Sequence, residues 1–288
     1  MNALADTISG IFGNDVTIAA RRSVGGGCIN DTAVLQLSNG EQLFLKQNTL
    51  THPQLFEAEA IGLKHLICDG GPRVPLPIAC FRDESHQYLI LEYLSSGKRR
   101  PDYWEQFGHQ LAHLHQSVRN SRCGFEIDNF IGATPQLNEY RSNWLVFFRD
   151  MRLTPQIRMA SRYLTGALRR QLDALLDRLD QFIVPPDGDA VILHGDLWTG
   201  NAMTGPNGEP VIIDPATYYG HREADIAMTQ LFGRFGGCFY DAYNESWPLQ
   251  PGWETRMDLY NLYHMINHVN LFGSGYLGSV ASIVNSYV

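Results

Sequence analysis

Hydrophobic and polar positions alternate over short strand-like runs in the first third of the chain and recur at helical spacing through most of the remainder. Residues 2–12 read as a short helix and 16–23 as a strand. The run L-F-L-K at 43–46 is a further strand that ends on a cation. Residues 53–67 begin at Pro53 and place Leu55, Phe56, Leu63 and Leu66 on one helical face, so a helix follows. After a stiff connection bearing Pro72, Pro75 and Pro77, residues 78–81 and 88–91 read as an antiparallel pair around R-D-E-S-H. Helical periods then take over. They cover 103–118 (Trp104, Phe107, Leu111, Leu114 and Val118 on one side), a segment holding Trp144, Phe147 and Phe148, and 168–182, closed by Pro185 and Pro186. Another helix opens after Tyr218, a long one spans 253–272, and a short one ends the chain. The aromatic and aliphatic stripe of 253–272 reads as core packing.

The interruption at 191–218, V-I-L-H-G-D-L-W-T-G-N-A-M-T-G-P-N-G-E-P-V-I-I-D-P-A-T-Y, organises the rest. Two apolar runs, V-I-L and V-I-I, each end in polar residues, with the turn-rich T-G-P-N-G-E-P between them. The segment therefore reads as strand, loop, tight hairpin and second strand. The first run delivers His194, Asp196 and Asn201, and the second delivers Asp214. Carboxylates at the ends of buried strands must be paired, hydrated or metal-bound. Asp196 and Asn201 stand as D-x-x-x-x-N, with Asp214 closing the next strand. That is the order of kinase machinery: a carboxylate that takes the acceptor proton, then an amide and a second carboxylate that hold magnesium. H-G-D in place of H-R-D, D-P in place of D-F-G, and the lack of a following A-P-E favour a small-molecule kinase over a protein kinase.

Upstream features fit that reading. Gly25, Gly26 and Gly27 lie between two strands, where backbone can approach phosphates closely. Lys46 closes its strand as a nucleotide-binding lysine does. Glu59 falls within the apolar face of the 53–67 helix, an acid that wants a cation, and Lys46 is its expected partner. His113 and His115, two residues apart, read as core or surface histidines and not as a metal pair.

Several stretches carry a family resemblance. H-G-D-L-W-T-G-N, with Trp198 inside the loop, resembles the fructosamine kinases (ketosamine-3-kinases). So do G-G-G-C-I-N, G-F-x-x-D-N-F-I-G at 124–132, Q-x-N at 136–138, W-x-x-F-F at 144–148 and R-L at 152–153. The last four motifs fit other kinase-like families poorly. The resemblance runs over nearly the whole chain and implies an α+β, bilobal, protein-kinase-like fold. It implies a nucleotide-binding lobe at 1–93, with an antiparallel sheet and one key helix, and a mostly helical catalytic and substrate lobe at 94–288. It also implies ATP and Mg²⁺, with adenine on the backbone of Glu92, Tyr93 and Leu94, and structural parts for His194 and for Asp225, which braces the catalytic loop. The implied acceptor is the 3-hydroxyl of a ketosamine, free or protein-bound, whose phosphorylation reverses glycation. Asn129, Gln136 and Asn138 are candidates for hydrogen-bonding the sugar, and Trp198 for an apolar wall against it. A kinase for another hydroxylated amine, aminoglycoside- or choline-like, and a non-catalytic nucleotide-binding module are the alternatives.

Composition narrows the setting. A net charge of −8 and a pI near 5.6 argue against a broad nucleic-acid-binding face. No apolar run approaches membrane-spanning length, and the N-terminus lacks the pattern of a secretory signal. Five cysteines without a C-x-x-C predict reduced thiols, a cytoplasmic protein and no structural zinc. A monomer or weak dimer is expected. Cys28, inside the glycine loop, is a candidate redox brake on nucleotide binding.

Overall fold

The computed structural model describes residues 3–25 and 30–288. Gly26, Gly27 and Cys28, and with them the expectation of a redox brake, lie outside the described residues.

The chain opens with helix α1 (Ala3–Phe12) and then forms strands β1 (Ile18–Ser23), β2 (Asp31–Leu37) and β3 (Gln42–Thr49). Helix α2 (Leu55–Leu66) follows, before strands β4 (Pro77–Arg82) and β5 (His86–Glu92). These strands make one five-stranded antiparallel sheet in the order β1-β2-β3-β5-β4. Alternation along the strands assigns its two faces. Leu35, Leu37, Leu43, Leu45, Tyr88 and Ile90 pack with Leu4 and Ile8 of α1. Val34, Phe44, Lys46 and Leu91 lie on the opposite face, where Thr32 pairs with Lys46 and Val34 with Phe44. The sequence pattern ends this strand at Lys46, but β3 runs on to Thr49, and the side-chain period of two turns Lys46 inward on the same face as Phe44.

The remainder is mostly helical. Helix α3 (Tyr103–Ser117) leads through the short strands β6 (Arg119–Asn120), β7 (Asn129–Ile131) and β8 (Thr134–Gln136) to α4 (Trp144–Phe147). A π-helical stretch at Phe148–Leu153 joins α4 to α5 (Thr154–Met159), and α6 (Gly166–Leu176) follows. The pattern predicted one helix over 168–182. Instead α6 stops at Leu176 and a 3-10 turn covers Leu179–Gln181, which lets Leu179 and Ile183 both reach the core. Strand β9 (Ala190–Leu193), hairpin β10 (Ala202–Thr204) and β11 (Pro210–Ile212), and strand β12 (Tyr218–Gly220) come next. Helices α7 (Glu223–Met228), α8 (Gly237–Ser246), α9 (Met257–Phe272) and α10 (Leu277–Asn285) complete the chain. The V-I-L and V-I-I runs belong to different sheets: β9 lies between β12 and β6, while β11 pairs with β10.

One apolar core runs from Leu55, Phe56, Leu63 and Leu66 of α2 into the helical part. At Gly62 of α2, an added Cβ would sit 2.8 Å from Thr217 Oγ1, so the helix lies directly on the segment after Asp214. Arg73 adds a second tie. Its main chain bonds to Pro210 and Ile212, and its guanidinium joins Glu92 at 2.5 Å to Glu209 at 2.9 Å.

Candidate active site

Between the sheet and the helical part lies a cleft of about 800 Å³. Strand β3 and helix α2 supply its charged wall. Lys46 Nζ lies 2.5 Å from Glu59 Oε1 and 2.7 Å from Asp214 Oδ1. Lys46 is 3% exposed, which without its partners would lower its pKa; the Asp214 and Glu59 carboxylates outweigh burial and hold the ammonium above its ordinary value. Burial and the nearby Asp214 push Glu59 upward, against the pull of Lys46. The lysine is therefore a fixed cation at the cleft surface, and Glu59 is the acid that the helical face predicted for it.

Strand β9 and hairpin β10–β11 deliver the second set. Asn201 Nδ2 donates to the Asp196 backbone oxygen at 2.9 Å and to Asp196 Oδ2 at 3.1 Å. Ile213 N donates to Asn201 O at 3.0 Å, which ties the loop carrying Asp196 to the strand before Asp214. Desolvation, with Asp214 nearby, pushes the Asp196 carboxyl up to about 7. Asp214 has φ +57°, a left-handed conformation that side chains other than glycine rarely adopt, and its carboxylate stays 46% exposed toward the cleft.

Beneath the loop, Asp225 accepts from His194 N at 2.7 Å and Gly195 N at 2.9 Å, and its Oδ2 lies 3.4 Å from His115 Nε2. Burial would raise this carboxyl, but His115, His194 and the Gly195 amide hold it below its usual range. His194 accepts from Asp196 N on Nδ1 at 3.2 Å and donates from Nε2 to Ile213 O at 2.9 Å. Those roles require the neutral ring, and burial lowers its pKa accordingly. Gly195 has φ +79°, and a Cβ there would lie 2.1 Å from Ala216 O. The glycine of H-G-D is thus needed where an arginine stands in protein kinases. Gly200 has a comparable reason, since a Cβ would fall 2.3 Å from the Trp198 ring.

The cleft also takes in Gly25, Glu92, Tyr93, Leu94, Trp198 and Asn129. Gln136 and Asn138 do not line it. Gln136 donates to Asn129 Oδ1 at 2.7 Å and Ala216 O at 3.0 Å, and accepts from Tyr263 at 2.7 Å. Asn138 bridges Ile127 O and Asn129 Oδ1, both at 2.9 Å, and accepts from Arg152 at 2.7 Å. Asn129 Nδ2 itself donates to Thr217 O at 2.7 Å. These amides clamp hairpin β7–β8 to the backbone after Asp214, so Gln136 and Asn138 lie behind the cleft wall and not at its surface. The Glu92 side chain is spent on Arg73.

Sequence reasoning missed the end of the cleft beyond Trp198. Although most of α9 is core, His264, Asn267, His268 and Phe272 line the cleft, joined by Phe232 and Tyr276. No motif marks them; the one available hint is that Phe232 and Phe272 are large apolar residues beside glycines, at the ends of their segments.

Asp214 and Asn201 offer only oxygen donors, with the Asn201 nitrogen already turned to Asp196. That chemistry suits a hard divalent cation such as magnesium. Among the described residues no group of at least three His, Cys, Asp and Glu side chains gathers into a self-contained metal site. Magnesium commonly takes one or two carboxylates and completes its shell with water and phosphate oxygens, so the sparse set fits.

Comparison with known proteins gives a consistent picture. The family model described as fructosamine kinase matches residues 1–288. A Synechocystis sp. protein provisionally named a ketoamine kinase is 42% identical over 274 residues, covering 95% of this chain and 92% of that one. The protein-ribulosamine 3-kinase of Oryza sativa subsp. japonica is 39% identical, covering 96% of this chain and 81% of that one. A solved structure from Thermobifida fusca, provisionally named fructosamine-3-kinase, is 33% identical, with a TM-score of 0.87 and coverage of 100% and 99%. The aminoglycoside phosphotransferase APH(4)-Ia shares the kinase-like fold at TM-score 0.65 and 15% identity.

Proposed function

The chain belongs to the fructosamine kinase family, and on that premise we propose that it transfers the terminal phosphoryl group of ATP to the sugar 3-hydroxyl of ketosamines. The observation that carries this reading is the pairing of Asp196 with the Lys46–Glu59–Asp214 cluster in one cleft, whose acceptor end has no carboxylate but Asp196 among the described residues. A polycationic acceptor such as an aminoglycoside calls for several carboxylates; a polyol on a single amine does not.

The geometry supports the following roles. Lys46, held by Glu59, offers its ammonium to phosphate oxygens. Gly25 covers them, and the backbone of Glu92, Tyr93 and Leu94 takes adenine. Asp214 and Asn201 hold magnesium, which when bound neutralises phosphate charge. Asp196 accepts the hydrogen bond of the acceptor hydroxyl and takes its proton as the oxygen–phosphorus bond forms and the bond to ADP breaks. Asn201 keeps the Asp196 carboxylate in place, and Asp225, His194 and Gly195 stiffen the loop beneath it. Most of the acceleration comes from positioning and charge stabilisation. Residues 1–93 and 94–288 are the two lobes. The setting is a cytoplasmic deglycation repair enzyme acting as a monomer or weak dimer.

The test is ATP-dependent phosphorylation, read by mass spectrometry, of N-α-acetyl-lysine adducts carrying fructose, ribulose or erythrulose, with kanamycin and choline as controls. Phosphate on a ketosamine is the expected result, and the relative rates rank the sugars. Phosphate on a control alone overturns the reading.

A further inference from the structure

The acceptor end of the cleft is finished in rings. Trp198 of the catalytic loop meets Phe232 edge-on, with centroids 6.1 Å apart, and Phe232 meets His268 at 4.5 Å. His268 then meets Phe272 at 5.4 Å and Tyr276 at 5.1 Å. All five line the cleft. Packing explains Phe232 and Phe272 poorly, because they remain 36% and 55% exposed. Phe232 also has φ +52°, a conformation costly for a bulky side chain. Thr199, next to Trp198, donates its hydroxyl to the main-chain oxygen of Phe232 at 2.9 Å, so the loop that carries Asp196 anchors the backbone from which the ring projects. An exposed aromatic on strained backbone, tethered to the loop that carries the base, serves something outside the chain's own core.

The charge pattern says what that is. Among the described residues no lysine or arginine lines this end; the cations of the cleft among them, Lys46 and Arg22, come from the five-stranded sheet. Burial favours the neutral form of both imidazoles there, lowering His264 to about 3 and His268 in the same direction. His268 Nδ1 donates to His264 O at 2.8 Å, which leaves Nε2 as a lone-pair acceptor. Electron-rich ring faces, one nitrogen acceptor and no competing cation suit an organic ammonium with apolar substituents.

Resting on the ketosamine reading, we infer that these rings form a subsite for the protonated secondary amine of the adduct and the first methylenes of its carrier. The amine of a ketosamine is separated from the accepting oxygen by only three carbons. A sugar seated on Asp196 therefore brings it beside Trp198, two residues along. The carrier then leaves past Phe272 and Tyr276. The subsite selects alkylammonium adducts over neutral adducts of the same size.

The experiment compares two adducts of one sugar at pH 7.5. One is made from ethylamine, whose nitrogen is protonated; the other from trifluoroethylamine, whose nitrogen is neutral at nearly the same size. The wild-type enzyme should show a KM about three- to thirtyfold lower for the ethylamine adduct, the range of one to two ring–cation contacts. Phe232→Leu should bring the ratio of the two KM values toward one, while Phe232→Tyr, which keeps the ring, should preserve it. Phe272→Leu, on an exposed helix end, should leave the ratio high but raise KM for adducts with longer carriers. A wild-type ratio near one, or a ratio unmoved in Phe232→Leu while both adducts are phosphorylated, overturns the subsite. Phosphorylation of neither adduct overturns the functional reading on which it rests.

Discussion

At the nucleotide end of the cleft, Lys46, Glu59 and Asp214 meet at 2.5 and 2.7 Å. At the acceptor end, rings meet at centroid distances of 4.5 to 6.1 Å. The first end is built of one buried cation between two carboxylates, Glu59 largely buried and Asp214 half exposed. Removing one member leaves another uncompensated, so its behaviour should be steep and non-additive. The second end is built of ring faces, each contributing a small share, so its behaviour should be graded. On the proposed reading the contrast sets how each end should tolerate change: the charged set should need every member, whereas the ring set should be able to vary and retune which adduct fits.

The sharpest way to break the comparison is at the base between the two ends. Asp196→Asn should lower kcat by about 10²–10⁴, measured by steady-state kinetics; an unchanged kcat removes Asp196 from the mechanism. The same variant should raise the melting temperature of the nucleotide-free protein at pH 8, because it removes a desolvated carboxylate near Asp214. Next in size is Lys46→Met, expected to cost about 10²–10³ in kcat/KM for ATP and about 3–5 kcal/mol of stability by urea unfolding. Adding Glu59→Leu should restore much of that stability and none of the activity. If the double variant is no more stable than the single one, the cluster is not a coupled unit.

Gly195→Ala should destabilise by about 1–3 kcal/mol in the same assay, because φ is +79° and the new methyl meets Ala216 O. A wild-type-like urea midpoint would mean that the loop yields at that point. A gentler probe is pH. With Asp196 pushed up to about 7, kcat/KM should climb up to tenfold per unit as pH rises toward 7 and then flatten. Stability moves the opposite way. The folded carboxyl keeps its proton to about 7, against 3.8 for the ordinary group, so this residue's contribution to stability declines as pH rises between those values. A flat activity profile from pH 6 to 8 would show that Asp196 titrates elsewhere. The smallest effect belongs to the rings: Phe272→Leu should change KM by less than about fivefold for the ethylamine adduct and leave kcat intact.

What the amino-acid order determined by itself was local. The two-residue period of L-F-L-K turned Lys46 to the cleft face, the helical period of 53–67 placed Glu59 within the buried face, and two apolar runs ending in turns positioned Asp196, Asn201 and Asp214. Each is a short-range consequence of strand, helix or turn geometry, which neighbouring residues dictate. The tertiary structure alone decided how the amides were used. Asn129, Gln136 and Asn138 look alike in sequence, yet Gln136 and Asn138 are wholly spent on neighbours while Asn129 also borders the cleft. An amide has the same composition whether a sugar or a carbonyl satisfies it, and only the long-range fold supplies the partner. The same holds for α9, whose stripe is core along most of its length but cleft lining at its end. Helical periodicity marks a face as apolar. Whether a protein core or a ligand covers that face depends on which segments, far apart in sequence, come to lie opposite it.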